Sequence, residues 1–511
     1  MLDTRAQEPI MKFAELPRGR PGTRAAEGDA PRALWMDQER IGRSDFWSWS
    51  PEKIFLGATE GGQLIGIGDD RHLAAVAGSR GGKGQSSILP NLAFYAGSVV
   101  VIDPKGENAT LSAERRGEGR GVPAGGLGQE VYVLDPFRVS DVPDAYRASY
   151  NPLADLDPVS QAFVDDCDSI ADALVVAAPG QETNHWNSSA RMVLRGFIAW
   201  VAASPTVELP RTLGTVRRML HLPPDATETA PGFNTILAEM LDHPEIAHGV
   251  PAEMAGAILG MGPDEAGSVM STVRQNVVFL SSPAMAAMLE GEGRVPDLAA
   301  WKMGGVSVYL CLPATRMHRH ARFFRLFINR LLAAVESRSD VPKVPALMLL
   351  DEMHVLGHMA ALETAAGLIA GYGVRIWSIW QDFSQLKSLY RDRWETFLGN
   401  ASVLQSFGLN DLTTLKYVSD RLGTSSILSI SKSEQSMDAK ARGFAAESRS
   451  IQASPLLSPE EVAEFFSRQS GNQLVLYPGA SPIFLKRVPF YDPWFDRVRV
   501  TKSAGKEGEA A

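Results

Sequence analysis

The residues best suited to chemistry lie in AVAGSRGGKGQSSILPNL, residues 75–92, where glycines crowd around one lysine. A loop that grips phosphate needs a strand, a glycine-rich turn with inward-pointing backbone N–H groups, a lysine and a helix N-terminus. HLAAVA supplies the strand, Gly78, Gly81 and Gly82 the turn, Lys83 the cation, and QSSILPNLAFYAG the helix. Against the general pattern G-x-x-x-x-G-K-[ST], Ala77 replaces the first glycine and Gly84 the hydroxyl residue. On this reading Gly78, Ser79, Arg80, Gly81, Gly82, Lys83, Gly84, Gln85 and Ser86 surround the phosphates, and Ser86 or Ser87 stands in for the missing hydroxyl. A loop of this kind standing alone could also be a glycine-rich turn with a surface lysine, the less favoured of the two readings.

A second segment separates these readings. PALMLLDEMHVLG is an apolar strand ending in Asp351 and Glu352. Paired carboxylates at the end of a buried strand are costly unless cations meet them, and Lys83 together with Mg²⁺ would do so. In phosphoryl transfer one such carboxylate supports the metal and its neighbour polarises the attacking water. Asp351 is therefore the expected metal carboxylate and Glu352 the catalytic base. A third strand, VRIWSIWQ, ends in Gln381, placed to sense the γ-phosphate or position water, with a solvated strand-end glutamine as the plainer alternative. Where neighbouring subunits complete an ATP site an arginine acts in trans. Arg375 is the candidate for that role, and the sequence alone does not rank it against Arg80. The expected ligands are ATP and Mg²⁺.

Elements must hold these groups together. The chain has 511 residues, 45% of them hydrophobic, enough for a large core and more than one folding unit. β-rich apolar runs recur as HLAAVAG, SVVVIDPKGE, EVYVLDPF, VSVYLCLP, ALMLLDE, VRIWSIWQ, SVLQSFG and NQLVLYPG, which predicts buried parallel strands. Helical stretches between them, such as HARFFRLFINRLLAAVESR, predict an α/β layered fold with a mostly parallel sheet. Residues 155–298 show only helix-type patterns and predict an all-α insertion. The nucleotide-binding domain is then split into 46–154 and 299–497. A Pro-, Gly- and Arg-rich flexible arm is expected over 1–45 and a disordered tail over 498–511.

The net charge of −9 argues against a basic coat all over the protein but not against a locally basic pore. Cys167 and Cys311 lie far apart in apolar contexts, which fits a reducing compartment without a disulfide framework. No window approaches a membrane span, so the chain as given reads as soluble and cytoplasmic.

Taken together the motifs resemble the TraG/VirD4 family of type IV secretion coupling proteins, ATPases of the RecA-like and FtsK-like translocase group. The likeness covers GSRGGKGQSSILPNL, VVVIDPKGE, LDPF, SYNPL, DEMHVLG, GYGVRIWSIWQDFSQLKSLY, FGLNDLTTLKYVSDRLG, LLSPEEV and VLYPGASPIFLKRVPFY, in family order from about residue 70 to 493. Within that family a glycine after the loop lysine is ordinary. The resemblance implies a RecA-like P-loop NTPase fold with an inserted all-α domain and a homo-oligomer, a hexameric ring. It implies as partners DNA, a relaxase or other secreted substrate, and a type IV secretion channel. The family usually begins with transmembrane helices. None is evident here, which implies recruitment to the inner membrane through a separate membrane-anchoring component, with residues 1–45 as the expected contact.

Two rivals share parts of this reading. A soluble HerA- or FtsK-like DNA translocase has the same core, but GYGVRIWSIWQ and FGLNDLTTLKYVSDRLG speak against it. A docking adaptor with little ATPase activity is disfavoured by the intact Lys83, Asp351 and Glu352. His354 and His358 have zinc-enzyme spacing, but Val355 stands where the glutamate is needed. His318 and His320 meet the same objection. Arg316, Arg319, Arg322 and Arg325 recur every three residues, and a solvated or carboxylate-paired helix face is expected in preference to DNA contact.

Overall fold

A computed structural model describes residues 33–176, 184–227, 231–432 and 447–501. Thirteen strands form its frame. They are β1 (Ile54–Ala58), β2 (Leu64–Ile67), β3 (His72–Ala77), β4 (Val99–Asp103), β5 (Glu130–Leu134), β6 (Val306–Cys311), β7 (Ala346–Leu350), β8 (Val374–Trp380), β9 (Ala401–Phe407), β10 (Thr424–Lys432), β11 (Glu447–Pro455), β12 (Asn472–Leu476) and β13 (Ile483–Lys486). Eleven of them make one sheet in the order β2-β1-β13-β12-β9-β3-β8-β7-β4-β6-β5. β10 and β11 form a separate antiparallel pair.

The run from β9 to β5 is wholly parallel. Alternate side chains of each strand enter opposite cores, as in β4, where Val99 and Val101 face one layer and Val100 and Ile102 the other. Burial on both faces explains the continuous Val/Ile/Leu runs in the sequence. NQLVLYPG departs from expectation: it forms β12, which pairs antiparallel with both β9 and β13. The short turn between β12 and β13 allows a hairpin, whereas a parallel return needs a crossover of a dozen or more residues.

Between β5 and β6 the described chain is helical. The long helix His185–Ala203 buries Phe197 and Trp200, and Phe197 stacks on Phe233 at 5.8 Å. The helix Phe163–Leu174 packs on Met317–Glu336, so this helical portion and one face of the sheet share a continuous core.

The expectation of a flexible arm reaching residue 45 is corrected over its last part. Ala33 N donates to Thr424 O and Met36 N to Pro482 O, while Trp35 meets the rings of Phe465, Phe466 and Phe484. Asp37 caps the short helix Gln38–Gly42, whose Ile41 is fully buried. The Trp35 ring has its aromatic partners more than 400 residues away in sequence. Residues 1–32 and 502–511, the rest of the expected arm and most of the tail, lie outside the described residues. Among the described residues no helix is long and apolar enough to cross a membrane.

Candidate functional site

The site lies at the C-terminal ends of β3, β7 and β8, where loops leaving a parallel sheet converge. After β3 the chain turns through Gly78, where a Cβ would overlap Gly408 O, so only glycine fits against the loop after β9. Arg80 and Gly82 take left-handed conformations with φ of 57° and 98°. Gly81 N donates to Gly78 O and Ser86 N to Gly82 O, each at 2.8 Å, closing the loop on itself. A wide π-helical turn, Gly84–Ile88, then leads into the α-helix Leu89–Phe94. Pro90 sits in that first α-turn, where its missing N–H is tolerated.

β7 delivers the carboxylates. Glu352 has φ 55° and ψ 46°, left-handed and strained for a residue with a side chain, and its N–H donates to Asp351 Oδ1 at 3.0 Å. Lys83 Nζ stands 2.5 Å from Glu352 Oε1 and 3.1 Å from Asp351 Oδ1. Gln381 Nε2 donates to Glu352 Oε2 at 2.7 Å, and His354 Nδ1 lies 3.3 Å from that oxygen. Gln381 is fixed at the tip of β8 because Asp382 caps the next helix, accepting from Gln385 N, while Gln385 Oε1 accepts from Gln381 N. Four groups predicted from three separate strands are therefore joined by direct contacts.

Burial opposes charge on all three ionised groups, and the local pairing decides the outcome. Glu352 is held below the usual carboxylate range, because Lys83 and Gln381 more than offset its desolvation. Burial pushes Asp351 up, with Lys83 offsetting part of the shift. Lys83 is raised despite its burial by the attraction of both carboxylates. At neutral pH this leaves an ionised, doubly hydrogen-bonded carboxylate at Glu352, the state that a general base requires.

A cavity of about 380 Å³ opens beside these groups, lined by Ser79 to Gln85, Asp351 and Glu352 and, on the far wall, by Asp103, Lys105, Glu107, Asn108 and Arg468. Ser86 is buried behind the loop and does not line it, and Ser87 Oγ is buried without a partner. A hydroxyl from either does not face the cavity as expected. Gly84 does face it, with open space where a side chain would stand.

Arg375 is not brought to the site. It is the second residue of β8, at the opposite end of the strand from Gln381, and only 2% exposed. Parallel strands put their N-terminal ends on the far edge of the sheet, so Arg375 does not reach the cavity of its own chain.

Several residues had no role in the sequence reading. DPKGEN follows β4 and wraps around Asp103, whose Oδ2 accepts from Ala109 N at 2.8 Å. Burial raises the Asp103 carboxyl to about 6. Arg487 donates from Nη1 to Gly81 O at 2.5 Å and from Nη2 to Arg468 O at 2.6 Å, tying the glycine-rich loop to the segment that bears Arg468. The intact block DPKGE was the signal for the first group. Arg487, 406 residues from Gly81, lies in the block VLYPGASPIFLKRVPFY, which gave no sign of its contact with the loop.

The sequence model of one family, Type IV secretory system Conjugative DNA transfer, matches residues 23–508. The chain is similar to the conjugal transfer protein TraG of Agrobacterium fabrum, 27% identical over 83% of this chain and 60% of that protein. It is likewise 27% identical to the protein VirD4 of the same organism, over 84% of this chain and 60% of the relative. The chain thus spans about 60% of the length of these curated relatives. In fold it is similar to the plasmid coupling protein TrwB in complex with ADP and Mg²⁺, with a TM-score of 0.60 at 15% identity, covering 96% of this chain and 98% of the other. A sulfate-bound form of TrwB gives 0.63 at 15% identity over 91% and 96%. The match over nearly the whole length shows that the chain belongs to the type IV secretory conjugative DNA-transfer family, and the fold is the α/β RecA-like one with a helical portion.

Proposed function

We propose, with that membership as premise, that the protein is a coupling motor of conjugative transfer that binds ATP with Mg²⁺, hydrolyses it, and moves DNA or a relaxase-bound DNA toward a type IV secretion channel. The observation that carries the reading is the contact of Lys83 with both Asp351 and Glu352 on the wall of a cavity closed by the phosphate loop. The names of the relatives and the nucleotide bound in the TrwB structures point the same way.

The donors around the cavity suit a hard cation, since Asp351 and Asp103 offer carboxylate oxygens and, among the described residues, no thiolate or imidazole lines it. Mg²⁺ bound there would neutralise phosphate charge as it develops. Lys83 would present its ammonium to the terminal phosphates, and the N–H groups from Gly78 to Gly84 would cradle them. Glu352, held ionised and aimed by Gln381, would take the proton of the attacking water. A ring of identical subunits, a secreted partner and a membrane-anchoring component complete the proposal and rest on family membership.

The deciding experiment measures ATP hydrolysis by purified wild type and Lys83→Ala, with and without single-stranded DNA. We expect the variant to melt as wild type does and to lose at least about a hundredfold in turnover, the scale for removing one preorganised charge partner. We expect DNA to stimulate wild type alone. Equal hydrolysis by the two proteins would remove the nucleotide assignment, and an absent DNA effect would remove the DNA motor.

A further inference from the structure

The helix Met317–Glu336 bears the arginines that the sequence reading placed on a solvated or carboxylate-paired face, and two of them do something else. Arg325 is 3% exposed. Its guanidinium donates from Nε to Ala173 O at 3.1 Å and from Nη2 to Asp172 O at 3.4 Å. From Nη1 it donates to Leu356 O at 2.9 Å and to His358 O at 2.6 Å. One helical turn earlier, Arg322 donates from Nε to Leu174 O at 2.8 Å and from Nη2 to Asn276 Oδ1 at 2.8 Å.

The first set of carbonyls ends the helix Phe163–Leu174, which opens the helical portion. The last carbonyls of a helix have no partner inside it, and cations are favoured at that end. Val175 N satisfies Ala171 O, and the arginines take Asp172, Ala173 and Leu174. The second set belongs to the loop that leaves the catalytic pair. Leu356 and His358 flank Gly357, whose φ is +66°, and Glu352 at the start of that loop is itself left-handed. Two residues in sparsely populated conformations therefore bracket the turn Met353–Leu356, and Arg325 holds its far end. His354 in this turn reaches the Glu352 carboxylate.

We propose that Arg325 is a positioning residue that couples the two parts of the molecule: it fixes the loop that aims Glu352 and ties that loop to the C-terminal end of the helix Phe163–Leu174. A change at Glu352 on nucleotide turnover moves Leu356 and His358, and the same guanidinium passes the displacement to the helical portion. The link works in reverse, because a coupling free energy between two sites is reciprocal. The inference rests on the proposed ATPase reading and goes beyond it by naming the joint.

The test compares Arg325→Lys, which keeps the charge but cannot span four carbonyls with a planar fork, with Gly357→Ala, which disturbs the same loop without touching the arginine. A side chain at Gly357 meets nothing closer than Val176 Cγ1 at 3.8 Å, so this second variant strains the backbone and not the packing. For each we expect ATP affinity within about threefold of wild type and kcat reduced about tenfold or more, the effect of small misplacement of a reacting group. In wild type, hydrogen exchange at the end of the helix Phe163–Leu174 is expected to differ between ATP- and ADP-loaded protein, and in Arg325→Lys that difference should vanish. Wild-type turnover in both variants, or loss of nucleotide binding together with turnover in both, overturns the coupling. Should Arg325→Lys fail to fold, the kcat of Gly357→Ala decides alone. Lys83→Ala runs beside them: if it is inactive while the Arg325 and Gly357 variants turn over normally, only the coupling fails, whereas hydrolysis equal to wild type in Lys83→Ala removes the ATPase reading itself.

Discussion

β8 carries a polar group at each end, and the two ends behave oppositely. At its C-terminal tip Gln381 joins Glu352, Asp351 and Lys83 around an open cavity. Six residues back, roughly 20 Å along the strand, Arg375 is sealed within the protein, with Nε and Nη1 buried and without hydrogen-bond partners. Beside it His72 accepts from Ile376 N at 3.1 Å, and burial pushes its imidazole down to about 4. Burial likewise lowers Arg375, and the nearby Tyr95, Asp69 and Asp70 offset only part of the shift. One edge gathers complementary charges beside space for a ligand. The other buries charge with little compensation. Charged residues on neighbouring strands are thus poor guides to a site until the end of the strand they occupy is known.

Substitution at the two edges should separate them. Glu352→Gln removes the proposed base but keeps the shape and the hydrogen-bonding capacity toward Lys83. We expect nucleotide binding close to wild type and turnover slower by at least about a hundredfold, since general-base catalysis contributes 10² to 10⁴. Binding lost along with turnover would make Glu352 a structural or metal-holding group and weaken the contrast. Arg375→Met is the matching test at the far edge. Turnover within about twofold of wild type is expected, and stability should rise by about 1 to 2 kcal/mol because an uncompensated buried charge is replaced by an apolar chain. Chemical denaturation and steady-state hydrolysis read both quantities. A hundredfold fall in turnover with normal binding would return Arg375 to the role the sequence suggested.

The smallest effect concerns Asp103, which lines the cavity and is almost completely buried. Its carboxyl is raised to about 6 from an ordinary 3.8. A raised carboxyl gives stability that is complete below about pH 4 and is lost as pH rises through about 6, because the folded state holds the proton longer than the unfolded one. In nucleotide-free protein, Asp103→Asn should flatten that fall and melt higher than wild type at pH 7.5, with the gap closing near pH 4. An unchanged pH profile of the melting temperature would show that Asp103 remains ionised across this range, through partners stronger than Ala109 N.

Much of the frame was legible in the residues. Seven of the eight apolar runs became neighbours in a parallel array because strands buried on both faces cannot tolerate polar alternation. The strands β1, β2 and β13 were not foreseen: IFLGA, LIGI and IFLK are short, and only pairing with one another and with β12 gives them a sheet. The stretch from Ala33 to Gly42 read as an arm because its apolar residues, Leu34 to Met36 and Ile41, are too few and too irregularly spaced to mark a helix or strand.

The sequence by itself determined the glycine-rich loop with its lysine, the carboxylate pair and the glutamine, since each depends on a strand ending in a particular residue, which is a property of a few consecutive positions. Tertiary structure decided what the arginines do. Arg375, Arg325 and Arg487 are alike in chemistry, yet one is buried with Nε and Nη1 unpartnered, one bridges the loop after β7 to a helix end, and one grips the glycine-rich loop after β3. The physical reason is that a guanidinium takes its role from the carbonyls and carboxylates around it, and those come from segments between 19 and 406 residues away.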